Sequence, residues 1–304
     1  MTVIRGMPGA RAVEVALLAL LVAAAGLGFV GLNRPLPAED AVVTLTVPGA
    51  VTVVDARGPL AYRQGHLPGA RHLYARDLLS FEGASVGGLA SSDALAEQVR
   101  ALGVAPGEEV VVYDGGDGWD APLVTLVLHA FGVEARMLAG GLEAWRARGG
   151  EPSDTLPAKP EPSEVGLTFD DRLLVEAAEA GQHLADGAIA PLDVRPRADY
   201  QREHVEGAVH VSADALLPGG TLPRWSMLTA RLEPARITRD THPFVYGGDV
   251  REAARAYLTL KAYGLEHLHV YRGAYPALRT AGLPLSQAET VRATSERSSS
   301  ICWR

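Results

Sequence analysis

The chain repeats part of itself, and this repeat restricts its fold more than any other feature of the sequence. Seven residues between positions 55 and 72 recur in the same register further along the chain, so that Asp55 recurs as Asp193. The seven pairs are Asp55 and Asp193, Arg57 and Arg195, Tyr62 and Tyr200, His66 and His204, Gly69 and Gly207, Ala70 and Ala208, and His72 and His210. The repeat predicts two domains of one architecture.

Within each half, short apolar runs alternate with helical patterns. Val51 to Asp55 and Val110 to Tyr113 are β-branched runs that end at polar turns, as buried parallel strands do. Ala121 to Phe131 and Arg251 to Tyr263 carry apolar residues at helical spacing. We therefore predict an α/β fold with two tandem domains, each a parallel sheet flanked by helices.

An apolar stretch precedes the repeat. Val13 to Leu32 is twenty residues long with one charge, Glu14, which is the length that a membrane-spanning helix needs. Arg5 and Arg11 lie before this stretch, so the positive-inside tendency predicts a cytoplasmic N-terminus and soluble domains on the extracytoplasmic side. A cleavable signal peptide and a buried core helix are the alternatives, and a cleaved peptide would also export the domains.

The repeat, the apolar stretch and the composition predict the domain organisation. Residues 151–163 contain four prolines and no apolar periodicity, which is typical of a semi-rigid linker. The predicted segments are a cytoplasmic N-terminus at 1–12, a single membrane anchor at 13–32, a first domain at 41–150, a linker at 151–165, a second domain at 166–285 and a polar tail at 286–304.

Composition argues against several classes of site. The net charge is −8 and no run of Lys or Arg alternates with aromatic residues, which argues against nucleic-acid binding. Cys302 is the only cysteine, so neither an intramolecular disulfide nor a cysteine zinc cluster can form. His267 and His269 would face one side of a strand predicted from Glu266 to Tyr271, but no third metal ligand is identifiable. We predict no metal and no cofactor.

The repeated motif resembles the rhodanese family. Asp-x-Arg, then Tyr, then Gly-His-Leu-Pro-Gly-Ala at 65–70 is similar to the family's early signature, and the run from Leu138 to Trp145 is similar to a later one. The tandem layout resembles two-domain thiosulfate and mercaptopyruvate sulfurtransferases. This resemblance implies a reactive cysteine directly after a strand of the second domain, where loop amides and a helix dipole lower the pKa of the thiol.

Neither half has a cysteine at that position. Asp114 follows the strand in the first half, and it matches the Tyr-Asp-Gly that the non-catalytic first domain of the tandem enzymes commonly carries. Gly247 takes the position in the second half, in a loop of the length that the family implies, and Val250 replaces the family's loop glycine. A dual-specificity phosphatase of this fold would need the same cysteine. Covalent catalysis has no nucleophile here.

The remaining candidate residues are a weak anion loop and a structural set. Gly247, Gly248, Asp249, Val250 and Arg251 could form a residual anion-binding loop; alternatively, Arg251 is an exposed side chain paired with Asp249 or Glu252. The resemblance implies structural roles at the strand ends and in the turns. These structural residues are Asp55, Arg57, His66, Asp193, Arg195 and His204.

The sequence thus predicts a membrane-anchored rhodanese-like protein without catalytic activity that acts as a binding or scaffold module. Its protein partner cannot be named from the sequence. The alternative is a sulfurtransferase of the thiosulfate or mercaptopyruvate type that uses an unidentified thiol, supplied by a partner or by Cys302. For Cys302 itself, we expect an unactivated, solvent-exposed thiol on a polar tail.

Overall fold

The computed structural model describes residues 43–287, apart from 45, 50, 82–85, 164, 165, 188 and 239. The predicted membrane anchor at Val13 to Leu32 and the thiol of Cys302 lie outside these residues. No helix in the described part of the chain is both long enough and apolar enough to cross a bilayer.

The first domain is a five-stranded parallel sheet with helices around it. Its strands are β1 (Val43–Thr44), β2 (Thr52–Asp55), β3 (Arg71–His72), β4 (Glu109–Tyr113) and β5 (Glu134–Leu138), and their order across the sheet is β1-β5-β4-β2-β3. Its helices are α1 (Pro59–Gln64), α2 (Ser92–Ala101), α3 (Asp120–Ala130) and α4 (Gly141–Ala147), with a short 3₁₀ helix at Ala75–Leu78.

The second domain repeats this architecture. Its strands are β6 (Leu174–Val175), β7 (Ala190–Asp193), β8 (His204–Val205), β9 (Val209–His210), β10 (Pro243–Tyr246), β11 (His269–Tyr271) and β12 (Leu285–Ser286). The parallel sheet has the order β6-β11-β10-β7-β9, while β8 and β12 form a small antiparallel pair. Its helices are α5 (Ala177–Ala185), α6 (Arg197–Arg202), α7 (Ala213–Leu216), α8 (Trp225–Leu232), α9 (Val250–Ala262) and α10 (Tyr275–Thr280), with a 3₁₀ helix at Pro218–Gly220. The predicted tandem α/β fold is confirmed.

The two central strands and the helices that follow them form the middle of the molecule. Every residue of β10 is buried, as is every residue of β4 after Glu109, which explains their continuous apolar sequences. Helices α3 and α9 pack against each other across the domain boundary. Because each covers its own sheet and the other helix, α3 is buried on nearly all sides.

The strand predicted from Glu266 to Tyr271 is shorter than expected. It begins at His269, which pairs with Phe244, so His267 precedes the strand and does not share a strand face with His269. Glu266 and His267 are both exposed, and residues without a strand partner or a buried face gain nothing from extended pairing. The ring of His267 instead stacks on that of His242, with centroids 4.5 Å apart.

The described part of the linker lies along the first domain. Ser153 and His66 exchange backbone hydrogen bonds of 2.8 and 2.9 Å, and the N–H of Ser163 donates to the carbonyl of Arg100. Gly103 has a φ of 66°, and a Cβ there would lie 2.6 Å from the carbonyl oxygen of Glu161. The close approach of the linker therefore requires glycine at this turn.

Candidate functional site

The loop after β10 lies where the family resemblance implies a reactive cysteine and where the sequence has Gly247. β10 ends at Tyr246, Gly247 and Gly248 form the turn, and Asp249 caps α9. The loop lies at the carboxyl edge of a parallel sheet, where open α/β folds place their ligand sites. The first amides of α9 point into this loop and need acceptors.

The chain's own oxygen atoms accept from these amides. The N–H of Gly248 donates to Oε2 of Glu252 over 2.7 Å. The N–H groups of Arg251 and Glu252 both donate to Oδ1 of Asp249, over 2.9 and 3.2 Å. Two carboxylates of the loop and helix thus occupy three donors that an anion would need.

The fourth amide is taken by the first domain. The N–H of Val250 donates over 2.9 Å to the carbonyl oxygen of Gly87, which lies in the loop between the first 3₁₀ helix and α2. A second hydrogen bond between the domains lies nearby: the N–H of Leu89 donates to the carbonyl of Arg272 over 2.7 Å. The first domain therefore covers the beginning of α9.

Space is the second restriction at Gly247. A Cβ built there would lie 2.6 Å from the carbonyl oxygen of Asp249 and 2.7 Å from Cβ of Glu252, closer than real Cβ contacts. The backbone of Gly247 is not in the left-handed region, so its conformation would accept a side chain. Packing alone excludes a side chain, and the loop would have to open to admit one.

Arg251 is bound within the loop. Its guanidinium contacts the Asp249 carboxylate through Nη2 to Oδ2 at 2.7 Å and through Nε to Oδ2 at 3.1 Å. Arg251 is therefore paired with Asp249, while anion binding by this loop stays a prediction. The guanidinium also lies 5.9 Å from the ring centre of Trp119 in the first domain.

The corresponding loop of the first domain is also filled by a carboxylate. Asp114 is buried, with its Oδ1 accepting from the N–H of Gly116 over 2.9 Å and its Oδ2 from that of Ala121 over 3.1 Å. Burial raises the pKa of Asp114, while these two backbone bonds oppose the rise. In both domains, therefore, carboxylates of the chain accept from the amides of the loop that follows the central strand.

Several further carboxylates make the region acidic. Burial raises the pKa of Asp120 to about 6, and the neighbouring charges of Asp114 and Asp117 add to the rise. Burial likewise raises the pKa of Glu252 to about 7, although its bond from the Gly248 amide opposes this. Partly buried like charges disfavour a further anion between the two loops.

A buried arginine joins the two domains beneath these loops. Arg255 is 2% exposed, and its guanidinium lies 4.2 Å from the ring centre of Trp119. Its Nη2 donates to the carbonyl of Leu217 over 2.7 Å and to Asp214 over 3.0 Å, and its Nη1 donates to the carbonyl of Gly118 over 3.2 Å. Its Nε is the one buried side-chain nitrogen or oxygen in the described part of the chain that has no hydrogen-bond partner.

The predicted structural residues form the same network in both domains. In the first, Nη2 of Arg57 lies 2.6 Å from Oδ2 of Asp55, and the Tyr113 hydroxyl donates to the same oxygen over 2.5 Å. In the second, Arg195 and Asp193 repeat the 2.6 Å ion pair beside Tyr246. Each arginine also donates to a carbonyl of the neighbouring loop, Arg57 to Gly65 and Arg195 to Glu203, which ties the strand end to that loop.

The two turn histidines are held by their neighbours. His66 stacks on Tyr62 with centroids 4.3 Å apart, and its Nδ1 lies 2.9 Å from the Tyr62 carbonyl. His204 stacks on Tyr200 at 4.0 Å and makes the equivalent contact at 2.8 Å. Both imidazoles serve the closure of a turn onto the sheet.

Sequence analysis missed Glu252 and Gly87 as parts of the site. The sequence places Glu252 five residues after Gly247 but does not show that its side chain turns back to the Gly248 amide. Gly87 lies in the other domain, far away in the sequence, and nothing in the local pattern connects it with Val250. The tyrosines of the ion-pair networks could have been found, because Tyr113 and Tyr246 belong to the recurring strands.

Comparison with known proteins identifies the family. Residues 41–148 and 176–281 each match the family described as Rhodanese-like domain. The chain belongs to the rhodanese-like family. As a tandem rhodanese-like protein it is 31% identical over 240 residues to the putative thiosulfate sulfurtransferase SseB of Mycobacterium tuberculosis, covering 70% of this chain and 83% of the relative. It is 26% identical over 226 residues to the 3-mercaptopyruvate sulfurtransferase of Escherichia coli K12, covering 70% and 80%.

Solved structures support the same architecture. The crystal structure of the 3-mercaptopyruvate sulfurtransferase SseA from Escherichia coli aligns with a TM-score of 0.64 at 25% identity, covering 74% of this chain and 92% of that chain. The structure of YnjE aligns with a TM-score of 0.73 at 19% identity, covering 84% and 70%, which shows a shared fold.

Proposed function

We propose that this tandem rhodanese-like protein has no sulfurtransferase activity of its own and acts as a binding or scaffold module. The observation that carries the proposal is Gly247, which directly follows β10, where the family resemblance implies a reactive cysteine, and which has no side-chain atom that can hold sulfur. The neighbouring loop residues supply no serine or threonine in its place.

The geometry of the loop supports this proposal. A persulfide or a thiosulfate ion would need free amides at the beginning of α9, and those of Gly248, Val250, Arg251 and Glu252 already donate within the protein. An anion could bind these amides only if their present hydrogen bonds broke, including those to the carboxylates of Glu252 and Asp249. The negative charge of these carboxylates would also repel the anion. The absence of a thiol at Gly247 and the engaged amides of the loop both support the proposed lack of activity.

The alternative is a sulfurtransferase of the thiosulfate or mercaptopyruvate type that uses an unidentified thiol. The names of the relatives favour it, because several are thiosulfate or 3-mercaptopyruvate sulfurtransferases. The thiol would come from a partner or from Cys302. This alternative requires a route by which the sulfur reaches a loop whose amides are engaged.

A turnover assay distinguishes the two. The full chain is incubated with thiosulfate and cyanide, and separately with 3-mercaptopyruvate and cyanide, and thiocyanate is measured. We expect a rate equal to that of buffer, for the chain and for Cys302→Ser alike. Thiocyanate formation that is lost in Cys302→Ser would overturn the proposal and identify the thiol.

We further propose that Val13 to Leu32 anchors the protein in a membrane, with both domains on the extracytoplasmic side. The length of the apolar stretch and the positive charges before it support this topology. Protease treatment of intact cells tests it by cleavage between Pro157 and Pro162. Cleavage only after the cells are broken would contradict the proposed orientation.

A further inference from the structure

A cavity of about 860 Å³ lies between the two domains, at the edge of the sheets opposite to Gly247. Its lining includes Glu109, Glu134 and His269, the first residues of β4, β5 and β11. Because the strands are parallel, the cavity lies at the amino ends of both sheets, whereas Gly247 follows the carboxyl end of β10. Its volume falls within the range of small-molecule sites, roughly 300–1,000 Å³. The cavity is therefore separate from the loop described above.

Side chains of α3 and α9 form a buried part of its wall. Nε2 of His129 lies 2.8 Å from the carbonyl oxygen of Ala135, and Nδ1 lies 2.8 Å from the Tyr257 hydroxyl. Burial lowers the pKa of His129 to about 4, so the ring is neutral at pH 7. A carbonyl can only accept, so the ring's proton is on Nε2 and the hydroxyl donates to Nδ1. A ligand that meets the Tyr257 oxygen must therefore donate to it.

Lys261 brings a positive charge to the same wall. It follows Tyr257 by one turn of α9, lines the cavity and is half-buried. Its ammonium group has no hydrogen bond or ion pair with any residue that the structure describes. Arg172, whose guanidinium is likewise unpaired within the described ranges, adds a second positive charge at an exposed position of the lining. These two side chains can hold a carboxylate.

Two carboxylates without a partner also line the cavity. Glu134 and Glu266 are exposed, and neither side chain makes a hydrogen bond or an ion pair within the described part of the chain. The last turns of α3 and α9, which contain His129 and Lys261, end at the cavity and add the partial negative charge of a helix C-terminus. The two carboxylates and the helix ends favour an ammonium group.

The remaining lining is apolar or internally paired. Val133, Leu173 and Leu268 add apolar surface. Glu109 and Arg136 form an ion pair of 2.7 Å with each other, so their charges largely cancel. A cavity that combines apolar surface with a few polar groups is typical of a site for a small organic molecule.

We propose that this cavity binds a small molecule that carries both a carboxylate and an ammonium group, as a free amino acid and a short peptide do. Lys261 and Arg172 hold the carboxylate. Glu134 and Glu266 accept from the ammonium group. The proposal names a ligand class for the binding role, and it also holds if the protein transfers sulfur, because the cavity lies at the other edge of the sheets.

Isothermal titration calorimetry of the full chain tests the proposal with L-alanine and with trialanine, each in its free, N-acetylated and C-amidated form. We expect saturable binding of at least one free form, with a Kd below about 1 mM. Which of the two binds distinguishes an amino acid from a peptide. Acetylation or amidation should each weaken binding about tenfold or more, because each removes a charge-assisted hydrogen bond. No binding of either free form, or equal binding of all three forms, would overturn the proposal.

Variants assign the two charges of the ligand to side chains. Lys261→Met should weaken the free and acetylated forms about tenfold and leave the amide, which has no carboxylate, unchanged. The double variant Glu134→Gln, Glu266→Gln should weaken the free and amidated forms and leave the acetylated form unchanged. Lys159→Met and Glu206→Gln, at exposed positions elsewhere, are the matched controls and should bind as the wild type does. Unchanged binding of the free form in Lys261→Met would overturn the assignment.

A measurement on the wild-type chain does not depend on the folding of any variant. The rings of His242, His267 and His269 also line the cavity, so their NMR signals should shift as the bound form of the probe fills. Binding that leaves all three rings unshifted would place the ligand elsewhere and overturn the site. The thiocyanate assay is separate from these titrations, so failure of one proposal is distinguishable from failure of the other.

Discussion

Gly247 directly follows β10, and its neighbours fill the space that a side chain would need. The Asp249 carbonyl and Cβ of Glu252 lie 2.6 and 2.7 Å from the position of a Cβ at Gly247. At Gly248 the nearest atom would be Oε2 of Glu252 at 3.3 Å, the far end of a flexible side chain. The loop therefore has no room for a side chain at Gly247, whereas Gly248 could accept one with a small movement of Glu252.

This difference predicts unequal effects of two alanine substitutions. Gly247→Ala should lower the free energy of unfolding by about 1–3 kcal/mol, because backbone atoms must move. Gly248→Ala is the matched control and should cost less than about 1 kcal/mol. Urea unfolding of both variants measures the two values. Equal costs would mean that the loop at Gly247 is open in solution.

The raised pKa of Glu252 predicts that its replacement changes the stability of the protein in a pH-dependent way. Its folded-state pKa of about 7 lies above that of an exposed glutamate, so the buried charge costs stability as the pH rises from about 4.5 to 7. Glu252→Gln keeps an oxygen for the Gly248 amide and should raise the free energy of unfolding at pH 8 by about 1–2 kcal/mol, after allowance for partial exposure.

The gain should disappear at pH 4, where the wild-type carboxyl is also neutral. Glu206→Gln, the same substitution at an exposed position, is the matched control. If Glu252→Gln is less stable than the wild type at pH 8, the charged carboxylate contributes more to the loop than its burial costs.

At the scale of elements, the repeat and the apolar runs predict the sheets and the long helices. The central strands and helices lie within one residue of the predicted bounds, because their burial leaves a continuous apolar signal in the sequence. The strand at His269 begins later than predicted, since Glu266 and His267 have no pairing partner. Tertiary contacts determined that boundary.

The candidate site was less predictable from the sequence than the sheets. The position of Gly247 follows from the order of strand, loop and helix, but the amide partners do not. Glu252 returns to the loop only because α9 starts at Val250, and Gly87 reaches Val250 only because the two domains dock. Contacts between segments far apart in sequence have no local pattern from which to infer them.

The contact between the loops of the two domains is also set by glycine. Gly118 and Gly220 have φ values of 70° and 69°, and a Cβ at Gly118 would overlap the Cα of Gly220. Gly107 has a similar φ of 76° with open space around it. Both positions would strain an alanine, but only Gly118 would also force the domains apart.

Gly118→Ala should therefore unfold at a lower temperature than Gly107→Ala, by a margin equivalent to about 1–3 kcal/mol. Exchange of the Leu89 amide should also rise in Gly118→Ala and remain unchanged in Gly107→Ala, because that amide bonds across the domain boundary. Equal melting temperatures would show that the two glycines do not touch in solution.

At the scale of the molecule, two copies of one fold meet through α3 and α9 and through loops that each domain places on the other. The Gly87 carbonyl of the first domain accepts from the Val250 N–H of α9, and Gly220 of the second domain lies against Gly118 in the loop of the first. In each domain, the loop that could receive an anion contains carboxylates of the chain itself. These engaged loops support the proposed binding or scaffold role.

The most direct test of the proposed lack of sulfurtransferase activity is the mass of the intact full chain after incubation with thiosulfate or 3-mercaptopyruvate. If the proposed lack of activity is correct, the mass stays unchanged, since Gly247 has no side-chain atom to hold sulfur and the loop amides already donate within the protein. A mass increase of one sulfur atom that cyanide removes, with thiocyanate released, would show that the chain carries a persulfide and would contradict it.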